Sequence, residues 1–380
     1  MKGQVMHMAF RKKGPKIVIS GYYGFDNTGD EAVLLSIIHC LRTLKPNVRI
    51  TVLSDKPEQT KATYGVNAVN RWSPFAVGFA LLFCRLFISG GGSLIQDVTS
   101  TQSAEYYLMM IRLGNILAKK TLVYGQGIGP LRDEKIRAKT AKVLARCDMI
   151  TVRDVQSAQL LKDLGVEKTV SVASDPVMAL SYEDINKDEI KDILLDIGIL
   201  NASGRKHKPL LLTSIRCWGD NRHLASVAAL LDVQARNGWD VLLAPAQFPA
   251  DMEAIDKISN LMSERLYCLG TSLTARQFLA LTLYADKVFS MRLHGLVFAM
   301  AMGTPMIGIS YDPKVDAFME QAGLSRYCLP FETFDWETAE YLFEEMEALP
   351  LHMLRVQEDT RKELHNLAWD MARLAIVMLN

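Results

Sequence analysis

Short, continuously apolar runs recur along the chain, separated by longer amphipathic stretches. In the first half they are Lys16–Ser20, Val48–Ser54, Leu86–Ser89, Thr121–Tyr124, Met149–Val152 and Thr169–Ala173. Several are β-branched and apolar at consecutive positions. That is the pattern of strands covered on both faces, hence of a mostly parallel sheet. The stretches between them read as helices, so strand and helix alternate instead of segregating. A polar, charged stretch from Tyr182 to Lys208 interrupts the series. A second series follows at Pro209–Ile215, Trp239–Ala244, Leu266–Cys268, Lys287–Ser290 and Pro305–Ser310. Residues 292–302 read as a helix stopped by Gly303 and Pro305. From Glu358 to Leu379, the residues Leu364, Leu367, Ala368, Met371, Leu374 and Met378 fall on one helical face.

The pattern predicts an α/β protein with two Rossmann-like, doubly wound domains facing a cleft. The expected bounds are 14–182 and 209–355, with a junction at 183–208 and a final helix over 356–380 packing back on the first domain. Ligands in such sheets bind beyond the carboxyl ends of strands. Polar residues just after each predicted strand are therefore the candidates for chemistry.

After the first strand comes Gly21-Tyr-Tyr-Gly-Phe-Asp-Asn-Thr-Gly-Asp-Glu31. Its glycines allow close approach of a ligand to backbone N–H groups. Asp26, Asn27, Asp30 and Glu31 are suited to hydrogen-bond sugar hydroxyls, and one carboxylate to take a hydroxyl proton. The competing reading is plain N-capping by Asn27 or Thr28, with Asp30 and Glu31 favouring the helix N-terminus. The spacing is not that of a dinucleotide fingerprint. Ser89-Gly-Gly-Gly-Ser93, with Gln96 and Asp97 beyond it, and Gly125-Gln-Gly-Ile-Gly-Pro130 read as two glycine-rich turns at the same strand-end face. Arg153-Asp154 reads as an internal ion pair or as an arginine aimed at an anion. Asp175 caps a turn or meets acceptor hydroxyls. In the second half, Arg216 ends a strand, while Arg292, Leu293, His294 and Gly295 surround a strand-to-helix turn. Arginine grips carboxylate and phosphate through a bidentate fork, and histidine transfers protons near neutral pH. Gln247 and Asp251 are placed to reach the same cleft.

Composition narrows the partners. Lys plus Arg number 43 against 42 Asp plus Glu, so no basic field points to nucleic acid. Six dispersed cysteines without CxxC spacing fit a reducing compartment, and no cluster has metal spacing. The N-terminus, Met1–Lys13, lacks the apolar core of a secretory signal. A cytoplasmic protein is expected. The apolar window from Phe75 to Ile88, broken by Arg85, is too short to span a bilayer. It reads either as a buried helix and strand, or as a contact of Arg71, Trp72, Phe75 and Phe79 with a membrane surface.

The ordered set Gly24-Phe-Asp-Asn-Thr-Gly-Asp-Glu31, Ser89-Gly-Gly-Gly-Ser93 with Gln96-Asp97, Gly125–Pro130, Arg153-Asp154 with Ser157, and Arg292-Leu-His-Gly295 resembles the polysaccharide pyruvyl transferase family, most closely its bacterial CsaB cell-wall type. The resemblance covers roughly residues 15–325. One departure is Cys84-Arg85, where the family pattern leads to an acidic residue. The resemblance implies a glycosyltransferase-B-like fold and phosphoenolpyruvate as donor, with no cofactor. It implies a pyruvate ketal on a sugar, commonly N-acetylmannosamine in a lipid-linked cell-wall polymer precursor. Carried over residue by residue, it implies donor contacts at Arg292, Leu293, His294 and Arg216, to which the strand-end reading adds Gly295 and Arg153. The acceptor side is expected at Asn27, Asp30, Glu31, Gly91, Gly92, Asp97, Gln126 and Asp175. His294 is expected as acid or phosphate-stabilising group, and Asp30 or Asp26 as base. A lipid-linked acceptor implies transient contact with the inner membrane leaflet, through the Arg71–Phe79 segment or the N-terminal basic residues. The alternatives are a nucleotide-sugar-dependent glycosyltransferase on the same fold, and a carbohydrate-binding or scaffold protein without catalysis.

Overall fold

The computed structural model describes residues 14–98, 100–348 and 351–379. The first unit runs β1 (Lys16–Ser20), α1 (Thr28–Leu44), β2 (Arg49–Ser54), α2 (Pro57–Tyr64), β3 (Asn67–Asn70), α3 (Pro74–Leu82), β4 (Leu86–Ser89), β5 (Gly92–Ile95), α4 (Thr101–Leu117), β6 (Thr121–Ile128), α5 (Glu134–Leu144), β7 (Met149–Val152), α6 (Val155–Asp163) and β8 (Val170–Val172). A 3₁₀ turn at Pro176–Ala179 and α7 (Lys191–Asp196) lead to the second unit. This consists of β9 (Leu210–Ser214), α8 (His223–Arg236), β10 (Asp240–Leu243), α9 (Met252–Leu261), β11 (Tyr267–Cys268), α10 (Ala275–Tyr284), β12 (Lys287–Ser290), α11 (Leu293–Met302), β13 (Met306–Ser310), α12 (Pro313–Gln321) and β14 (Cys328–Pro330). Two helices close the chain, α13 (Trp336–Glu347) and α14 (Leu351–Val377). The N-terminal basic residues of the sequence reading, Met1–Lys13, lie outside the described residues.

The first sheet is ordered β3-β2-β1-β4-β6-β7-β8, with β5 beside β6, and the second β11-β10-β9-β12-β13-β14. Every pairing is parallel. In each sheet the strand order reverses once, between β1 and β4 and between β9 and β12. A crevice opens at such a reversal because the flanking helices leave to opposite faces. The segments after these four strands carry Asp30 in the first turn of α1, Ser93 in β5, Arg216 and Arg292, so topology alone brings them to two crevice mouths.

Of the glycine-rich turn expected at Gly125–Pro130, residues Gly125–Ile128 are instead the second half of β6, all of them buried. β5 likewise occupies Gly92–Ile95, inside the expected glycine loop. Both segments find paired backbone partners, and pairing overrides the low strand propensity of glycine. Arg71 does not stand on the surface with Trp72. It is buried, donates to Gly21 O at 2.9 Å and Tyr107 Oη at 3.2 Å, and is ringed by Phe25, Trp72 and Tyr106.

The two units share one continuous apolar core. α1 lies at its centre, its buried residues running from Thr28 to Leu41. Backbone bonds join the units directly: Thr28 N donates to Ala246 O at 3.1 Å, and Asn27 bridges Gln247. α14 returns to the first unit, where Trp369 Nε1 donates to Ala179 O at 3.1 Å and Ser174 Oγ to Leu364 O at 2.6 Å. A second apolar cluster lies under α3, α4, α5 and α6 on the opposite sheet face.

Candidate active site

The two crevice mouths meet in one cleft of about 530 Å³, a size suited to a small ligand. Four permanent cations line it, Arg153, Arg216, Arg292 and Lys314, against a single carboxylate, Asp30. His294 completes the charged wall.

His294 enters from the N-terminal turn of α11 and packs onto the first unit. A methyl group on Gly29 would stand 2.1 Å from its Nδ1, so only glycine lets the ring approach α1. Its Nε2 lies 3.6 Å from Asp175 Oδ2, just beyond hydrogen-bond reach, and is buried without a partner. Asp175 accepts from Val177 N at 3.1 Å and from Arg153 Nη1 at 3.3 Å. Burial alone would raise the Asp175 carboxyl; the adjoining His294 ring, Arg153 and that N–H outweigh burial and hold it below its ordinary value. Arg153 also donates to Ser93 Oγ at 2.8 Å and contacts Asp154 at 3.5 Å. It thus forms the internal ion pair of the first sequence reading while also lining the cleft.

Asp30 shows the opposite balance. Desolvation dominates and pushes its carboxyl up to about 6, although His294 and Arg153 pull it down. Gly92, at φ +94°, makes room for it: a methyl there would lie 2.6 Å from Asp30 Oδ1. A carboxyl near 6 is mostly ionised at neutral pH yet more basic than an ordinary carboxylate, a usable base for a hydroxyl.

The four cations are held differently. Arg292 forms a bidentate pair with the fully buried Asp251, whose carboxylate also accepts from Ala246 N and Gln247 N. Arg292 is therefore first a strut for the loop that touches Asn27 and Thr28. Lys314 pairs with Asp312 at 3.0 Å. Among the described residues Arg216 pairs with no carboxylate. Its guanidinium lies over Trp218 and Tyr311, and its Nε is buried without a partner.

The other expected residues divide between the cleft wall and structural roles outside it. Asp26 pairs with Lys56 at 2.6 Å outside the cleft lining. Glu31 accepts from Gly24 N at 2.7 Å and Tyr64 Oη at 2.5 Å. Asp97 accepts from Arg132 N and Asp133 N, and Gln126 donates to Ser89 Oγ and Gly90 O. Asn27 lines the cleft while capping α1 through Gly29 N and Asp30 N. Leu293 lines it too, whereas Gly91 packs on Pro176 and Gly295 on Ser290. Sequence reasoning missed Lys314, Tyr311, Tyr22 and Tyr107, all in the lining. Tyr311 and Lys314 follow β13, so the same strand-end rule would have found them. Among the described residues no group of His, Cys, Asp and Glu could hold a metal ion.

Comparison with known proteins agrees with this architecture. A sequence profile of the family "Polysaccharide pyruvyl transferase" matches residues 27–313. No curated protein sequence matches the chain. Among solved structures, UDP-GlcNAc 2-epimerase from Neisseria meningitidis is similar at a TM-score of 0.62 and 11% identity, over 96% of this chain and 99% of that one. Anabaena Alr3699/HepE, in complex with UDP and glucose, gives 0.60 and 12% over 96% and 98%. A glycosyltransferase from Rickettsia africae gives 0.59 and 13% over 97% and 98%. At such identities the likeness shows the fold alone.

The Gly29–His294 contact sets a direct test. Gly29→Ala should lower the melting temperature, and His294→Ala on that background should recover most of the loss, because the two changes share one contact. Additive losses in thermal unfolding would show that the ring does not bear on Gly29. With two parallel switch-point sheets, a cation-lined cleft and a profile match over most of its length, the chain belongs to the polysaccharide pyruvyl transferase family and has the two-domain glycosyltransferase-B fold.

Proposed function

We propose that the enzyme moves the pyruvyl group of phosphoenolpyruvate onto two hydroxyls of one sugar, forming a ketal and releasing phosphate. The observation that carries this reading is the charge pattern of the cleft: four cations around one carboxylate poised near 6. A donor bearing both carboxylate and phosphate suits the cations, and a hydroxyl nucleophile suits the carboxylate. The proposed acceptor, by family resemblance, is N-acetylmannosamine in a lipid-linked cell-wall polymer precursor.

The chemistry proceeds in two additions. A proton adds to C3 of the donor, making a methyl group and leaving C2 electron-poor. The first sugar oxygen bonds to C2 as Asp30 takes its proton. The bond from C2 to the phosphate oxygen then breaks, the second sugar oxygen bonds to C2, and its proton leaves with phosphate. Arg216 is the leading donor anchor, since its charge has no carboxylate to answer it. Arg153 and Lys314 border the same space. His294 serves as acid toward C3 or holds the phosphate. A His294→Ala protein that binds donor normally but has lost turnover assigns the first role, and one that has lost donor affinity assigns the second.

A nucleotide-sugar donor is the competing reading, favoured by the UDP and glucose named for Alr3699/HepE. Titration calorimetry separates the two. Phosphoenolpyruvate should bind, UDP-sugars should not, and Arg216→Ala should weaken the binding about tenfold to a hundredfold, the range for a hydrogen bond to a charged group. Saturable UDP-sugar binding with no heat from phosphoenolpyruvate would reverse the assignment.

The raised Asp30 value fixes a pH dependence. The fold favours the protonated carboxyl, so its contribution to stability is complete below the unfolded value near 3.8 and is lost as pH rises through about 6. The same deprotonation creates the base. Activity, as kcat/KM, should therefore climb through an apparent pKa near 6. Asp30→Asn should abolish that limb, lower kcat about 10²–10⁴-fold, and unfold at higher temperature than the parent at pH 8 but not at pH 4. A variant that keeps the limb would remove Asp30 from the role.

A further inference from the structure

Helix α3 reads Pro-Phe-Ala-Val-Gly-Phe-Ala-Leu-Leu and has no polar side chain. A helix apolar all round is ordinarily covered all round. α3 is covered on one side only: Val77 and Leu81 are buried, while Phe75 is 93% exposed, Phe79 65%, and Leu82 and Phe83 also stand in solvent. Residues 75, 79 and 82 recur at helical spacing, so they form one ridge. Trp72 extends it, its exposed ring held by a 2.7 Å bond from Nε1 to Asp55. On neighbouring α4 the apolar surface continues through exposed Met109 and Ile116.

On the other flank of α4, which packs against both α3 and α5, the surface is cationic. A groove of about 450 Å³ between α4 and α5 is lined by Arg112, Lys139, Lys142 and Arg146, with no acidic side chain in its walls. Lys139 alone reaches an acid, Glu105 at 3.3 Å. The protein as a whole is nearly neutral, at +1, so this concentration of cations is local.

We infer that the α3–α4–α5 face docks on a membrane surface rich in anionic phospholipid. The α3 aromatics enter the interfacial layer, and the groove receives phosphate headgroups. Large apolar side chains next to clustered Lys and Arg are what such a surface binds, and contiguous exposed apolar patches on soluble folds are seldom idle. Among the described residues no helix is long and apolar enough to cross a membrane, so the contact is peripheral. The position also fits the cleft. Ser100 and Ser103, at the N-terminal end of α4, line the active site. Arg112 stands about 14 Å further along that helix at roughly 1.5 Å per residue. A sugar in the cleft and its lipid in the bilayer can thus be reached from one helix. This last point rests on the proposed lipid-linked acceptor; the docking itself does not.

Vesicle flotation of the full chain, without either substrate, tests it. The protein should float with phosphatidylcholine vesicles containing phosphatidylglycerol, not with phosphatidylcholine alone, and added salt should weaken binding. Lys142→Glu with Arg146→Glu should lower partitioning at least about fivefold per cation removed. Phe75→Ser with Phe79→Ser should abolish flotation, while both double variants keep the parent melting temperature. No flotation with anionic vesicles, or flotation unchanged in both variants, would overturn the proposal. So would sedimentation showing that the face joins two copies, as a dimer lost in Phe75→Ser/Phe79→Ser, with no vesicle binding.

Discussion

Two helix N-termini, those of α1 and α11, point into one cleft from opposite units. Each carries partial positive charge, so bringing them together is unfavourable unless negative charge stands between. Asp175, held ionised, supplies it, with Arg153 and His294 interleaved. The same arrangement gives the two carboxyls opposite characters. Asp175 has charge partners and N–H donors enough to stay ionised. At Asp30 the same His294 and Arg153 pull downward, but burial outweighs them. A fixed acid and an adjustable one, about a shared histidine, follow from that single electrostatic problem. An anionic donor entering the cleft would ease it further.

The scaffold explains why the constellation is not on one domain. Each switch point supplies half a site, and the close contact of His294 with Gly29 holds the halves at working distance. Arg292 shows the consequence for residue roles. Its pairing with Asp251 supports the loop that bonds to α1, so it builds the cleft as much as it lines it. Arg216, stacked on two aromatic rings with no carboxylate, is the better-prepared anion contact.

The parallel sheets were legible because buried strands write continuous apolar runs. β3, β5 and β14 were not. β3 is a short, polar edge strand, β5 lies in a glycine segment, and β14 includes a proline. Each owes its form to a paired neighbour. The cleft was legible through the strand-end rule, which located Asp30, Arg153, Arg216, Arg292 and His294 in one place. Local sequence does not reveal which polar groups face inward for structure. Glu31, Asp97 and Gln126 satisfy backbone and neighbouring side chains, and Asp26 turns to Lys56. Those partners lie up to dozens of residues away and only the fold brings them in. Lys314 lies in the first turn of α12, after a strand end that carries no glycine-rich or Arg-His signal.

The most direct test of the central claim is phosphate release from phosphoenolpyruvate with and without lipid-linked N-acetylmannosaminyl disaccharide, followed by mass analysis of the acceptor. Acceptor-dependent phosphate release and a sugar heavier by one pyruvyl ketal are expected. Sugar binding without phosphate release, or transfer of a hexose from a nucleotide sugar to that acceptor, would contradict it.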